Sequence, residues 1–122
     1  MKTLRTYEDF KAIVFHKKQV AISKEAKNLI EESYNFLKEF ANDKIIYGVN
    51  TGFGPMAQYR IEPEDQLQLQ YNLIRSHASG CGEVFDIKTV RAAILCRLNS
   101  LSLGKSGVHI EAIELMRDLL NY

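Results

Sequence analysis

The chain has 122 residues, of which 46% are hydrophobic and 25% charged, values that fit one globular domain and exclude a collagen-like, coiled-coil or disordered chain. Its net charge of +1 offers no broad electrostatic surface for nucleic acid or anionic lipid, so we expect neither as a partner. No apolar run approaches the roughly 18 residues of a membrane span, and two cysteines are too few for a disulfide scaffold, so we expect a cytoplasmic protein.

Two amphipathic helices are predicted in the first third of the chain. Thr6, followed three residues later by Asp9, resembles a capping box, and apolar residues at helical spacing predict a helix over about 7–15. Residues 19–22 favour a short extended segment. Ser23 is a suitable N-cap for a second helix, which we expect to end near residues 42–43. The apolar stripe of that helix consists of Ala26, Leu29, Ile30, Tyr34, Leu37, Phe40 and Ala41.

Residues 44–62 break the helical pattern and predict a loop. Gly48, Gly52 and Gly54 stand within seven residues, with Pro55 directly behind them. Glycine at this density is typical of a loop. The run also misses the glycine spacing of a dinucleotide-binding motif and does not lead into a helix.

Two aromatic residues stand beside these glycines, and their pattern leaves two interpretations open. Tyr47 precedes Gly48, and Phe53 lies between Gly52 and Gly54. One interpretation is a tight turn whose rings pack inward. The other is a mobile loop that presents the Tyr47 phenol and backbone N–H groups to a ligand.

Residues 63–77 carry conflicting signals. Apolar and polar residues alternate over 66–73, as in a half-buried strand. Pro63, Glu64 and Asp65 nevertheless form a good first helical turn, and leucine and glutamine are strong helix formers. We therefore predict a helix over about 63–77, whose apolar face would consist of Leu67, Tyr71, Ile74 and Ala78.

Two more helices are predicted in the last third. Asp86 is the N-cap of one, Gly104 its C-cap, and Cys96 is expected in its buried face. The other runs from about 110 to Tyr122. Its apolar residues are Ile110, Ile113, Met116, Leu119 and Leu120. The chain is thus predicted to be mainly α, with five helices interrupted by two glycine-bearing loops.

Two short patterns resemble ligand sites, but each lacks residues that its site would need. Gly104-Lys105-Ser106 resembles the end of a phosphate-binding loop, but Asn99 stands where that motif needs glycine, so a helix C-cap and turn explain it better. His77 and Cys81 have a spacing that metals use, yet no second pair of ligands accompanies them. We predict no metal site.

Three blocks resemble a known family, the aromatic amino acid ammonia-lyases. Residues 47–54, Tyr-Gly-Val-Asn-Thr-Gly-Phe-Gly, are similar to that family's glycine-rich loop, and residues 69–82 are similar to its next block. Residues 103–108 match a third block, in the same order, and the resemblance covers about residues 4–122. It implies that residues 1–122 are the N-terminal helical domain of the aspartase/fumarase-like superfamily, with a glycine-rich active-site loop.

The resemblance also implies a chemistry and assigns residues to it. The family eliminates ammonia from histidine, phenylalanine or tyrosine, using the electrophilic group 4-methylidene-imidazol-5-one (MIO) and a tyrosine base. Tyr47 takes the place of the base. Ser76 and His77 take the place of the substrate side-chain contact. The residues that would shape the loop are Gly48, Asn50, Thr51, Gly52 and Gly54.

The substrate remains open between histidine and tyrosine, because Ser-His occurs in family members acting on either. An MIO-dependent aminomutase and a non-catalytic helical interaction module are the alternative functions. Family members are several-fold longer and are usually homotetramers. We therefore expect an N-terminal fragment that is inactive alone and has the remainder of the lyase chain as its partner.

One tripeptide in the second block matches the precursor of the prosthetic group. Ala78-Ser79-Gly80 has the sequence that cyclises to MIO in this family. There the cyclising triad lies further along the chain, inside a longer block that is absent here. Cyclisation needs a compressed backbone inside a core, which a loop at a helix end seldom supplies. We therefore expect MIO to form outside this chain.

Overall fold

A computed structural model of the chain describes residues 6–122, so residues 4–5 of the resemblance lie outside the described part. The chain divides into two compact units, one formed by Met1–Lys38 with Val84–Tyr122, the other by Glu39–Glu83. Over the described range there are five α-helices, one short 3₁₀-helix and no strand. This confirms the mainly α fold class.

The helices lie close to their predicted positions. The predicted helix over 63–77 is confirmed, so the alternation that favoured a strand was misleading there. The second helix ends at Phe40, slightly before the expected residues 42–43. The five helices are α1 Tyr7–His16, α2 Lys24–Phe40, α3 Pro63–His77, α4 Ile87–Leu101 and α5 Ile110–Asn121.

Side-chain caps start four of these helices, and His109 is the cap of α5. The Thr6 hydroxyl accepts a hydrogen bond from the Asp9 amide at 3.1 Å, as the capping box predicts. The Ser23 hydroxyl accepts from the Ala26 amide at 3.2 Å, and Oδ1 of Asp86 accepts from the amide of Lys88 at 2.8 Å. Each cap satisfies an amide that the helix itself leaves without an acceptor.

The first unit is built around α4, which packs against α1 and α5. Its core is apolar, but Arg91 is buried there too, donating to the carbonyl oxygens of Ile13 at 2.8 Å and Leu120 at 2.6 Å. These bonds satisfy a cation that burial would otherwise destabilise. The core side chains are Ile13, Val14, Val20, Ile22, Ala26, Ile30, Leu95, Leu98, Leu101, Ile113 and Leu120.

The predicted burial of Cys96 was wrong. Cys96 is exposed, because the buried face of α4 runs through Leu95 and Leu98, and the residue after Leu95 points about 100° away from it. Residues 19–22 belong to no helix or strand. The Asn121 side chain takes the place of a neighbouring strand, accepting from the Val20 amide and donating to the Val20 carbonyl, both at 2.8 Å.

Gly104 was predicted as the C-cap of α4, but the C-cap is Ser102. The turn that follows the helix makes a close approach at Gly104. The φ of Gly104 is +64°, a conformation that favours glycine, and its amide donates to the Leu101 carbonyl at 3.1 Å. A Cβ here would lie 2.6 Å from backbone atoms of Leu29 in α2. A glycine is therefore required where the turn meets α2.

No helix among residues 6–122 combines the length and the apolar character needed to cross a membrane.

Candidate functional site

The glycine-rich loop lies in the second unit and is organised around the buried side chain of Asn50. Its Oδ1 accepts from the Ile46 amide at 2.8 Å, and its Nδ2 donates to the carbonyls of Ala41 at 2.9 Å and Lys44 at 2.7 Å. One amide side chain thus satisfies three backbone groups that no helix or strand would satisfy. The conformation of residues 41–50 depends on this side chain.

Thr51 and Gly52 close the loop against the following turn. Thr51 is fully buried, and its hydroxyl accepts from the Gly48 amide at 3.3 Å and donates to the Gly52 carbonyl at 2.9 Å. An isolated antiparallel bridge pairs Thr51 with Arg60, and the Gly52 amide donates to the Tyr59 carbonyl at 3.2 Å. The two sides of the loop are therefore held together by backbone pairing.

Close packing excludes any side chain at position 52. A Cβ on Gly52 would lie 2.6 Å from Cβ of Met56 and 3.0 Å from its carbonyl oxygen. Met56 belongs to the short 3₁₀-helix Gly54–Met56, which turns back over the loop. The glycine thus brings this turn against the loop backbone.

Tyr47 lies on the outside of this framework. Its side chain is 63% exposed, and its ring meets Phe53 edge-to-face with a centroid separation of 5.9 Å. The Gly54 amide points to the phenolic oxygen at 3.5 Å, a long contact. The phenol is thus accessible while the backbone around it is held by buried polar groups.

Ser76 and His77 form a second group at the C-terminal end of α3. Nδ1 of His77 lies 2.9 Å from the carbonyl oxygen of Leu73 and 3.0 Å from the Ser76 hydroxyl. The Ser76 hydroxyl itself lies 2.9 Å from the Leu73 carbonyl. Both side chains are exposed, so the far side of the imidazole is open to a ligand.

The predicted site residues therefore fall into two groups within one unit. The loop residues and Tyr47 are one group, and Ser76 with His77 is the other. No hydrogen bond or ring contact among the described residues joins Tyr47 to His77. Cys81 is exposed, and residues 6–122 contain no cluster of three metal-ligating side chains.

The tripeptide Ala78-Ser79-Gly80 lies on the surface immediately after α3. All three residues are exposed, and a Cβ on Gly80 would meet no atom within 4 Å. The Ser79 amide donates to the His77 carbonyl at 2.8 Å. The tripeptide lacks the compressed, enclosed backbone that cyclisation requires, so these residues do not fit an MIO precursor.

Comparison with known proteins places this geometry in a family. The family model for aromatic amino acid lyases matches residues 5–122, nearly the whole chain. The chain belongs to the aromatic amino acid lyase family. Histidine ammonia-lyase from Streptococcus gordonii is 43% identical over 117 residues, which cover 95% of this chain and 23% of that enzyme. The chain thus spans about a quarter of the length of the curated relatives it matches.

Solved structures of lyase-family proteins share the fold. Ergothionase from Treponema denticola, described as an ergothioneine-degrading enzyme, superposes with a TM-score of 0.91 at 30% identity, covering 99% of this chain and 24% of that one. Tyrosine aminomutase from Streptomyces globisporus gives 0.88 at 31% identity, covering 98% and 23%. These likenesses support the family's helical fold for this chain.

Sequence reasoning missed two features of this lyase-family segment. One is the Gly54 amide beside the Tyr47 oxygen, a contact that depends on the path of the loop backbone before Gly54 and that no residue pattern specifies. The other is α3, a helix of 15 residues without a buried side chain. Its expected apolar face is open, with Leu67 68% exposed and Ile74 64% exposed.

Proposed function

We propose that this chain is the N-terminal part of an aromatic amino acid ammonia-lyase acting on histidine, with Tyr47 as the general base. Elimination removes a proton from the β-carbon and ammonia from the α-carbon, leaving urocanate. The observation that carries the proposal is the exposed Tyr47 phenol on a loop fixed by buried Asn50 and Thr51. A base has to be accessible and yet held in place.

The loop supports this role through the Gly54 amide. An N–H group directed at a phenolic oxygen stabilises an oxyanion more than a neutral hydroxyl, because hydrogen bonds to ionised groups are stronger. The 3.5 Å separation leaves room for shortening when the site closes over a substrate. The phenolate oxygen of Tyr47 then accepts the β-proton, and the C–H electron pair forms the carbon–carbon double bond. The bond from the α-carbon to nitrogen breaks at the same time, and its electron pair leaves with the amine.

The amine is a poor leaving group, and MIO is the electrophile expected to activate it. Ala78-Ser79-Gly80 is open and exposed, so we assign MIO formation to another segment of the enzyme. His77 and Ser76 belong to the substrate side-chain pocket in this proposal. The rest of the lyase chain supplies the remaining groups, in a homotetramer as is usual for the family.

Histidine is favoured as the substrate by the relatives. Several curated relatives of this chain are histidine ammonia-lyases, including that of Deinococcus radiodurans at 44% identity over 115 residues. Tyrosine is the second candidate, because the structural neighbours include a tyrosine aminomutase. The same neighbour supports an aminomutase as the alternative activity. A β-amino acid product would favour that alternative over the lyase.

A chimaera tests the proposal directly. This chain replaces the matching segment of the Streptococcus gordonii enzyme, and formation of urocanate from histidine and of coumarate from tyrosine is measured. Tyr47→Phe is expected to lower kcat by about 10²-fold or more, because a general base contributes that much to the rate. Tyr59→Phe is the matched control, since it removes a phenol of similar exposure from the same unit. Equal activity of the two variants would refute the base assignment.

The isolated chain provides the complementary experiment. We expect the pure 122-residue protein to form neither urocanate nor coumarate, because it lacks the segment that would carry MIO. Detectable product from this protein alone would refute that expectation. A chimaera that assembles normally but keeps full turnover without the Tyr47 hydroxyl would instead favour a non-catalytic helical interaction module.

A further inference from the structure

The last turn of α3 holds the His77 ring in one orientation. The ring folds back along its own helix, so that Nδ1 lies 2.9 Å from the Leu73 carbonyl oxygen and 3.0 Å from the Ser76 hydroxyl oxygen. The same serine hydroxyl lies 2.9 Å from the same carbonyl. Nδ1, one hydroxyl and one carbonyl therefore form a closed triangle of hydrogen-bonding atoms.

The position of the ring hydrogen follows from this triangle. A carbonyl oxygen only accepts, so a nitrogen 2.9 Å away has to bring the hydrogen itself. The Ser76 hydroxyl satisfies the triangle by donating to Leu73 and accepting from Nδ1. If Nδ1 carried no hydrogen, two lone pairs would face each other across 2.9 Å. These contacts favour a neutral ring with its hydrogen on Nδ1, which leaves a free lone pair on Nε2.

We propose that Ser76 and the Leu73 carbonyl fix neutral His77 as the Nδ1–H tautomer, so that Nε2 is a hydrogen-bond acceptor for the substrate ring. Ser76 is then a positioning residue, because its hydroxyl is used within the triangle. The ligand has to carry a donor on its ring, such as an imidazole N–H or a phenol O–H. The identification of that ligand as the substrate rests on the proposed function, whereas the tautomer does not.

His109 provides an internal contrast. Its Nδ1 lies 3.4 Å from the Glu111 amide, which donates to it at the start of α5. The same Nδ1 also lies 3.6 Å from Oε2 of the Glu111 carboxylate, which only accepts, so the contacts of His109 do not select one tautomer. His109 therefore serves as a reference histidine in the same chain, one whose surroundings favour neither tautomer.

Nitrogen-15 NMR of the 122-residue chain tests the tautomer without any activity. The spectra are recorded at about pH 9, where imidazole side chains are neutral. Protonated and unprotonated ring nitrogens resonate far apart, and His77→Gln assigns the His77 signals by their loss. We expect hydrogen on Nδ1 of His77, with His109 as the reference signal. Hydrogen on Nε2 of His77, or an even mixture, would overturn the proposal.

Two variants of Ser76 measure how much its hydroxyl contributes to the tautomer of His77. Ser76→Ala removes one of the two acceptors, so the ratio of Nδ1–H to Nε2–H is expected to fall about three- to tenfold. Ser76→Thr keeps a hydroxyl that can bond a carbonyl in the preceding helical turn, and is expected to restore the ratio. An unchanged ratio in Ser76→Ala would show that serine does not position the ring. The wild-type measurement remains decisive if the alanine variant does not fold.

The chimaera separates this inference from the proposed function. For histidine, Ser76→Ala is expected to raise KM about three- to tenfold with kcat nearly unchanged, because it weakens binding to Nε2 and leaves Tyr47 intact. Inhibition by phenylalanine, whose ring has no donor, is expected to stay unchanged. An inactive wild-type chimaera would refute the proposed function while the NMR result still decides the tautomer. Equal effects of Ser76→Ala on both ligands would refute the acceptor role.

Discussion

The two units of this chain are stabilised by different interactions. In the first unit, α4 packs against α1 and α5 around apolar side chains such as Leu95, Leu98 and Ile113, each fully buried. In Glu39–Glu83, no apolar side chain is among the buried residues that the structure describes. The side chains buried there belong to Asn50 and Thr51, which bond to the backbone of their own loop.

This difference explains why the candidate site lies in the second unit. Apolar burial is non-directional and contributes mainly stability, whereas hydrogen bonds fix the path of a backbone. The loop therefore presents Tyr47 in a defined place without enclosing it. The exposed face of α3 is consistent with a unit that contributes little core of its own.

The largest expected effect comes from breaking the apolar core of the first unit. Leu98→Ala removes a fully buried side chain from α4 and is expected to lower the free energy of unfolding by about 2–5 kcal/mol. Urea unfolding monitored by circular dichroism measures the loss. Leu115→Ala is the matched control, because Leu115 is 61% exposed and its truncation is expected to cost within about 0.5 kcal/mol. Similar losses in both variants would contradict the assignment of the core.

The second-largest loss of stability is expected from removing the buried Asn50 side chain, around which the loop is organised. Asn50→Ala leaves the Ile46 amide and the Ala41 and Lys44 carbonyls without their partner, at a cost of about 3 kcal/mol. Amide hydrogen exchange is expected to accelerate in Glu39–Glu83 while the protection of α4 is retained. Asn42→Ala makes the same change at an exposed position and should leave exchange unaltered. Loss of protection in α4 would show that the two units do not respond separately.

The helices were predictable from the sequence because their signals are local. Thr6, Ser23 and Asp86 mark helix starts, and Pro63 opens α3 despite the alternating residues that follow. The alternation of apolar and polar residues suggested a half-buried strand. Because α3 buries no side chain, the alternation does not mark a buried face. Cys96 was placed wrongly because the nearby apolar residues Leu95 and Leu98 do not show whether Cys96 itself lies on the packed face of the helix.

The contacts within the loop could not be predicted from the sequence. Glycine density indicates a loop, but it does not tell which amide will face the Tyr47 oxygen or which carbonyls Asn50 will bond. Such contacts depend on the exact path of the loop backbone. The triangle of Leu73, Ser76 and His77 likewise depends on a single side-chain rotamer.

A smaller effect is expected from filling the close approach inside the loop. Gly52→Ala places a Cβ 2.6 Å from Cβ of Met56, so the 3₁₀-helix has to move, at a cost of about 1–2 kcal/mol. Gly80→Ala is the matched control, since its Cβ meets open space. Hydrogen exchange of the Gly52 and Tyr59 amides reports the displacement. Equal exchange in both variants would mean that the loop accommodates a side chain without moving.

The smallest expected change in stability comes from the Asp86 cap of α4, whose contribution depends on pH. The hydrogen bond from the Thr89 side chain is the largest cause that lowers the pKa of Asp86 from its ordinary value of 3.8. The folded chain therefore binds this proton less tightly than the unfolded chain, so the stabilisation is complete above pH 3.8 and is lost as the pH falls through the lower folded pKa.

Asp86→Asn isolates this contribution, because asparagine retains an acceptor oxygen for the Lys88 and Thr89 amides but does not titrate. The charged cap also interacts favourably with the positive end of the helix dipole. Urea midpoints of the two proteins are compared from about pH 6 down to about pH 2. We expect the wild-type advantage at the upper end to shrink in acid and to disappear once Asp86 is protonated. A difference that stays constant over this range would show that the Asp86 charge contributes nothing to α4, and that its cap acts only through the acceptor oxygen.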